Sequence, residues 1–332
     1  MSQSIDGLVL PRPGSTLDST QSPIPGPTEA AFTQTFGTLL PPASFLNTTT
    51  GKAAYYEILP SSPGGDSSDT LPSRVLFVHG VQTPALGMLP LTRALQTSFP
   101  RAHLVLVDLW GHGLSDTPIV PHSADLFHQL LDALLDRLGW DSAHLVSFSF
   151  GGAITPAYVS RRVARIESFT LVAPAGLLRS SDLSAEEQGH MRGDDEAAAR
   201  KWVLEWLEGG ELVVPADWRQ RVDNGEVVAE AVREWQMHHH PGHVASVVAI
   251  VRDGGVFDTY AEFAKVARTA VPSLVVLGEL DDLCTEQQVR EHGFTNVSVI
   301  PQVGHGVVRD RAAEVAALVG DFWTKLAATT AS

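Results

Sequence analysis

The chain has 332 residues, long for one domain and short for three, and its 44% hydrophobic content is enough for a sizeable buried core. A formal net charge of −15 with no lysine- or arginine-rich run excludes a phosphate-tracking nucleic-acid surface and argues against docking on anionic membranes. The single cysteine, Cys284, excludes an intrachain disulfide, and no run of about 18 apolar residues is available to cross a bilayer.

The N-terminus reads MSQSID, without the basic segment and apolar run of a secretory signal, so a cytoplasmic protein is expected. Residues 1–37, rich in Pro, Ser and Thr, read as an irregular arm, with order beginning near Thr38. Residues 53–59 (AAYYEIL) read as a strand and residues 61–70 as a Ser/Gly/Asp-rich loop. A strand–helix alternation then begins. Residues 74–79 (RVLFVH), 103–108 (HLVLVD), 144–148 (HLVSF) and 168–173 (SFTLVA) are apolar runs of the kind buried on both faces of a sheet. Helical spacing fills residues 84–99, 124–138 and 151–165, with Leu126, Leu130, Leu134 and Leu138 on one stripe of the second.

From about residue 176 to 258 the strand signature disappears. Helices are expected at 197–207, 227–239 and 244–252, with Pro241-Gly242 separating the last two. The alternation returns with strands at 273–278 (SLVVLG) and 297–301 and helices at 285–292 and 312–327. This pattern predicts an α/β protein with a mostly parallel central sheet flanked by helices. The core is expected over residues 38–176 and 258–332, with an inserted helical cap at 177–257 over the carboxyl edge of the sheet, where open α/β sheets bind ligands.

The chemistry concentrates at that edge. Ser147-Phe148-Ser149-Phe150-Gly151-Gly152 follows a strand and opens a helix, close to the pattern G-x-S-x-G with Ser147 in place of the first glycine. A turn this tight needs small residues two positions either side, strains the serine backbone and exposes its hydroxyl. A Ser/Gly turn before an ordinary helix is the plainer reading. Gly278-Glu279-Leu280-Asp281 ends a strand and presents Asp281, with neighbouring Asp282 as the competing carboxylate. Gly304-His305-Gly306 follows the last strand and leaves the imidazole free to reach across the edge. Residues 108–115 (DLWGHGLS) read as an architectural turn, with Trp110 and His112 as candidates for contact with the pocket.

Together these motifs, in the order Ser, acid, His, resemble the serine-hydrolase branch of the α/β-hydrolase superfamily, in its capped, esterase- and lipase-like form with fungal members. The resemblance spans about residues 50–325. It implies that Ser149 is the nucleophile, His305 its base and Asp281 the orienting acid. The amides of Val81, in the loop after His79, and of Phe150 would then form the oxyanion hole. It implies a small apolar ester or lactone substrate, no cofactor and no metal. Serine at position 149 disfavours dehalogenase and epoxide-hydrolase chemistry, which need an aspartate there. Trp110, Trp202, Trp206 and Trp235 are candidate substrate contacts, and core packing is the alternative for the cap tryptophans. His238, His239 and His240, with His243, invite a metal reading, but successive helical residues diverge, so a polar cap face is expected. Other readings stay open: a lactone-forming cyclase, a carbon–carbon bond hydrolase, or a non-enzymatic small-molecule receptor of this fold.

Overall fold

The computed structural model describes residues 7–15, 21–61 and 72–330. In chain order the elements are α1 (Glu29–Phe36), β1 (Ser44–Asn47), β2 (Lys52–Ile58), β3 (Arg74–Val78), α2 (Leu89–Ser98), β4 (His103–Val107), α3 (Ala124–Leu138), β5 (Ala143–Phe148), α4 (Phe150–Arg161) and β6 (Ile166–Val172). An all-helical stretch follows: α5 (Ala185–Arg192), α6 (Glu196–Glu208), α7 (Trp218–Asp223), α8 (Ala229–His239), α9 (His243–Asp253) and α10 (Tyr260–Val266). The last elements are β7 (Ser273–Gly278), α11 (Glu286–Glu291), β8 (Val297–Ile300), α12 (Val307–Asp310) and α13 (Ala312–Thr330).

The described strands form one sheet in the order β1-β2-β4-β3-β5-β6-β7-β8. β1 and β2 pair antiparallel with their neighbours, and the remaining pairs are parallel. The apolar runs explain this placement. In β3, Val75 and Phe77 join the core on one face, while Leu76 and Val78 join the core on the other. A strand with period-two side chains can be apolar throughout only where both faces are covered. One cover includes Leu91 and Leu95 of α2 and Val315 and Val319 of α13. The other includes Leu130 and Leu134 of α3, Ile154 of α4 and Phe263 of α10. The helical stretch leaves and rejoins the core at one point, where Leu178 and Phe257 form a parallel bridge and Gly176 N–H donates to Val256 C=O. No helix among the described residues is long and apolar enough to cross a membrane.

Two expectations change at the N-terminus. The segment 1–37 is not irregular throughout, because α1 lies within it, capped by Thr28, whose hydroxyl accepts from Ala31 N–H. Phe32 and Phe36, one helical turn apart, bury themselves against Trp235 of α8, with ring centroids 5.4 and 5.9 Å away. A helix this short takes its stability from such packing rather than from propensity, which is why its sequence alone did not announce it. Upstream, Leu10 is 2% exposed against Ala245 and Ala249 of α9. The loop expected over 61–70 lies, beyond Ser61, outside the described residues. The helix expected at 84–99 is divided, with a 3-10 turn at Ala85–Met88 leading into α2.

The turn after β4 is built on one buried carboxylate. Asp108 accepts from Tyr56 Oη at 2.8 Å, Ala85 N at 2.9 Å and Leu114 N at 3.0 Å. A Cβ on Gly113, at φ 55°, would fall 2.1 Å from this carboxylate. Four histidines pack around the turn: His112 lies 5.2 Å from His79 and 4.9 Å from His243, and His243 lies 6.0 Å from His240. Burial lowers the pKa of His79 and His240 to about 4 and that of His243 to about 3, and carries His112 down as well. They are therefore neutral in the native protein. Unfolded histidine titrates near 6.5, so between about pH 6.5 and 4 the unfolded chain binds more protons and stability falls with pH. Asp108 opposes this, since burial raises its pKa to about 6, but it is one group against four. Chemical denaturation at a series of pH values should show unfolding free energy nearly constant above pH 7 and falling steadily from 6.5 to 4.5. A flat profile through that window would refute the neutral buried cluster.

Candidate active site

Ser149 occupies the sharp turn between β5 and α4, at φ 52° and ψ −116°. Its neighbours leave no room for larger residues. A Cβ on Gly151 would lie 2.4 Å from Val78 O, and one on Gly80 would lie 2.8 Å from Ser149 Cβ. The turn is laced to the ends of two neighbouring strands, β3 and β6. Ser149 N–H donates to Val172 O at 3.1 Å, Gly151 N–H to His79 O at 3.1 Å, and Ala175 N–H to Ser149 O at 3.0 Å. Ser147, which stands where a glycine was expected, buries its hydroxyl 2.7 Å from Thr155 Oγ1, which itself donates to Gly151 O at 2.7 Å. The departure from the glycine pattern is thus absorbed by a satisfied hydrogen bond.

His305 bridges the serine and the acid. Ser149 Oγ lies 2.9 Å from His305 Nε2, and His305 Nδ1 lies 3.0 Å from Asp281 Oδ2. The Asp281 side chain is 0% exposed and its other oxygen accepts from Leu283 N at 3.0 Å, whereas His305 is 32% exposed. Asp282 is exposed, so Asp281 is the carboxylate that meets the imidazole. Close backbone approach sets this reach: a Cβ on Gly278 would lie 2.5 Å from the carbonyl oxygens of Val303 and Gly304. The His305 ring also packs on Phe148, 5.0 Å between centroids. Burial, then the nearby charge of Asp281, pushes the Cys284 thiol up to about 12, so it stays protonated.

The loop after β3 is held by histidines rather than supplying one to the reaction. His79 Nε2 accepts from Leu109 N at 2.9 Å, and its Nδ1–H donates to Gly80 O at 2.5 Å. His112 Nε2 accepts from Gln82 N at 3.1 Å, and Gln236 Nε2 donates to Gln82 O. Among the described residues, the backbone amides of Val81 and Phe150 donate to no protein acceptor. Both flank Ser149, Phe150 as the first residue of α4.

Ser149 and His305 line a cavity of about 250 Å³ together with Val81, Phe148, Trp206 and Leu207. Of the four tryptophans singled out from sequence, only Trp206 lines this cavity. Trp202 stacks on Trp206 at 5.8 Å, one helical turn away on α6. Trp110 is fully buried in the core, and Trp235 packs on Phe32 and Phe36, so neither lines this cavity. Trp235 faces away because α1 covers that side of α8. The histidine run diverges: His240 Nε2 donates to Ser115 O, His239 stacks on Trp235 and His238 is exposed. Sequence reasoning missed Glu208, Arg233 and Arg309, which share the cavity lining. Arg309 carried one signal, its position four residues after His305. A second cavity, of about 430 Å³, is walled by Arg12, Met191 and Phe257 and does not include the serine.

The turn makes a direct prediction. Gly151→Ala forces a Cβ into Val78 O and should cost more than about 2 kcal/mol of unfolding free energy. Ser147→Gly loses only the Thr155 bond, about 1 kcal/mol. Equilibrium denaturation of the two variants checks the order, and a Gly151→Ala variant as stable as wild type would contradict the packing described.

The comparisons with known proteins bear on the fold and the family. The monoacylglycerol lipase ABHD6 of Rattus norvegicus is 26% identical over 261 residues, covering 75% of this chain and 74% of the lipase. An enol-lactonase from Burkholderia xenovorans LB400 superposes with a TM-score of 0.62 at 21% identity, over 85% of this chain and 100% of that one. The naproxen esterase of Bacillus subtilis gives 0.60 at 18% identity, over 88% and 95%. These two likenesses concern the fold. A family model described as the alpha/beta hydrolase fold matches residues 73–310, from β3 through α12. Strand order, the turn at Ser149 and this match over most of the chain lead to one conclusion: the protein belongs to the alpha/beta hydrolase family.

Proposed function

We propose that this protein is a serine hydrolase that cleaves a carboxylic ester or lactone through an acyl-enzyme on Ser149. The observation that carries the reading is the chain of contacts from Ser149 Oγ to His305 Nε2 at 2.9 Å and from His305 Nδ1 to Asp281 Oδ2 at 3.0 Å. His305 takes the serine proton as Ser149 attacks the substrate carbonyl. Asp281 fixes the imidazole tautomer and stabilises the imidazolium. The developing oxyanion is held by the amides of Val81 and Phe150, each worth about 3 kcal/mol in the transition state. The proton on His305 then goes to the leaving alcohol, and a water activated by the same imidazole releases the acid. The exposure of His305 favours water as the second nucleophile, because the imidazole edge is open to it.

Residues 177–257 act in this reading as a cap that selects the substrate. Trp206 and Leu207 of α6 supply its apolar wall, and relatives named as a lipase, an esterase and an enol-lactonase support an ester or lactone of modest size.

A fluorophosphonate probe should label wild-type protein at Ser149 and leave Ser149→Ala unlabelled. Ser149→Ala should lose turnover by orders of magnitude on any ester the wild type hydrolyses. Asp281→Asn should lower kcat by about 10³- to 10⁴-fold with little change in KM. Asp282→Asn should stay within a few-fold of wild type. In oxygen-18 water, one heavy oxygen must appear in the acid product. An unlabelled, cyclised product would replace hydrolysis by intramolecular acyl transfer.

A further inference from the structure

One charged group buried in the cavity lining has no partner among the described residues. Arg309, on α12 one helical turn beyond His305, lines the same cavity as Ser149. Among the described residues its guanidinium makes no ion pair and no hydrogen bond. Its Nη1 is buried without any acceptor. The group is held instead over the Phe148 ring, 5.5 Å from the centroid, the same ring that packs on His305 at 5.0 Å. It therefore sits beside the reacting centre with its donors uncommitted.

The other charges around the cavity do not fill this need. Arg233 is paired with Glu208 at 2.7 Å, so these two largely neutralise each other. Asp282 also lines the cavity but is exposed and makes no ion pair with Arg309, and Asp310, though adjacent in sequence, is also exposed. Burial and then the repulsion of Arg233, partly offset by the charges of Asp310, Glu230 and Glu208, lower the Arg309 pKa to about 10, which still leaves it charged at neutral pH. A buried guanidinium with neither an ion pair nor a hydrogen bond is costly in a folded protein and is expected where an anion completes it. The planar fork of arginine matches the two oxygens of a carboxylate.

We propose that Arg309 receives a free carboxylate carried by the substrate, so that this hydrolase acts on esters or lactones of dicarboxylic or related anionic acyl groups. This rests on the serine-hydrolase reading above and adds the charge of the substrate to it. The carboxylate lies over Arg309 while the ester carbonyl faces Ser149, and Phe148 separates the two ends. Arg309 is thus a specificity residue that orients the acyl chain, not a participant in bond making.

The test compares p-nitrophenyl hydrogen glutarate with its neutral analogue p-nitrophenyl methyl glutarate. Wild-type protein should show the higher kcat/KM on the anionic ester. Arg309→Gln should lower the anionic-to-neutral ratio at least tenfold, mainly through KM, and Arg309→Lys should retain part of the preference. Free glutarate should slow fluorophosphonate labelling of Ser149 in wild type, and dimethyl glutarate should slow it less. A wild-type preference for the neutral ester overturns the proposal. So does a parallel fall on both esters in Arg309→Gln, which would mean a structural role. Should Arg309→Gln fail to fold, the two wild-type arms decide by themselves. If neither ester is turned over, labelling decides, and no protection by glutarate overturns the proposal. Absence of any labelling at Ser149 is a different failure, that of the hydrolase reading itself.

Discussion

The site depends on one backbone conformation that an L-residue resists. Ser149 at φ 52° and ψ −116° lies outside the regions open to ordinary side chains, at a cost of about 1–3 kcal/mol. It persists because the surroundings over-determine it. Its amide donates to the last residue of β6 and its carbonyl accepts from the segment just after it, and Gly80 and Gly151 let β3 and its loop approach within van der Waals contact. The same strain lifts the hydroxyl out of the helix axis and toward His305. Relaxing the turn into a regular helix start would withdraw Oγ from the imidazole and close the gap that Gly151 leaves for Val78 O.

Around this turn the protein is held by polar groups buried in defined protonation states. Asp108 organises the turn after β4, and neutral His79 and His112 fix the loop that carries Val81 and Gln82. Gln236 of α8 ties both together, accepting from Gly113 N and donating to Gln82 O. His240 and His243 extend the same network into the helices between β6 and β7 through Ser115 O and Gly111 O. Because these bonds lie within a low-dielectric interior, the helical insertion and the sheet edge are positioned as one unit. The geometry at Ser149 is therefore sensitive to groups far from the serine in sequence.

The cavity brings opposite requirements together. An apolar wall of Trp206, Leu207 and Phe148 desolvates whatever enters, and the paired Glu208–Arg233 leaves that wall near neutral. Arg309 is the exception, a charge retained against desolvation beside the candidate nucleophile. Desolvation strengthens each electrostatic contact made there, so one uncommitted guanidinium can discriminate strongly between neutral and anionic ligands.

Much of this was legible in the chain itself. Runs such as VLFV after Arg74 and LVLV after His103 are apolar at every position, and the only strand that tolerates this is one covered on both faces, so the parallel sheet followed directly. That Ser149, Asp281 and His305 would converge was legible because each lies past the end of such a strand, and all strand ends of one parallel sheet share an edge. What the chain did not reveal was which partner each surface meets. Trp206 and Trp235 both stand in helices between β6 and β7, yet one lines the cavity and the other is covered by α1. Phe32 and Phe36 looked like part of an irregular arm because their binding surface lies some 200 residues away in sequence. Arg309 was not singled out, since nothing local shows that its donors find no acceptor. Periodicity and spacing report what a residue shares with its neighbours along the chain. Burial, pairing and the facing of a cavity are properties of elements distant in sequence, and only their packing decided them.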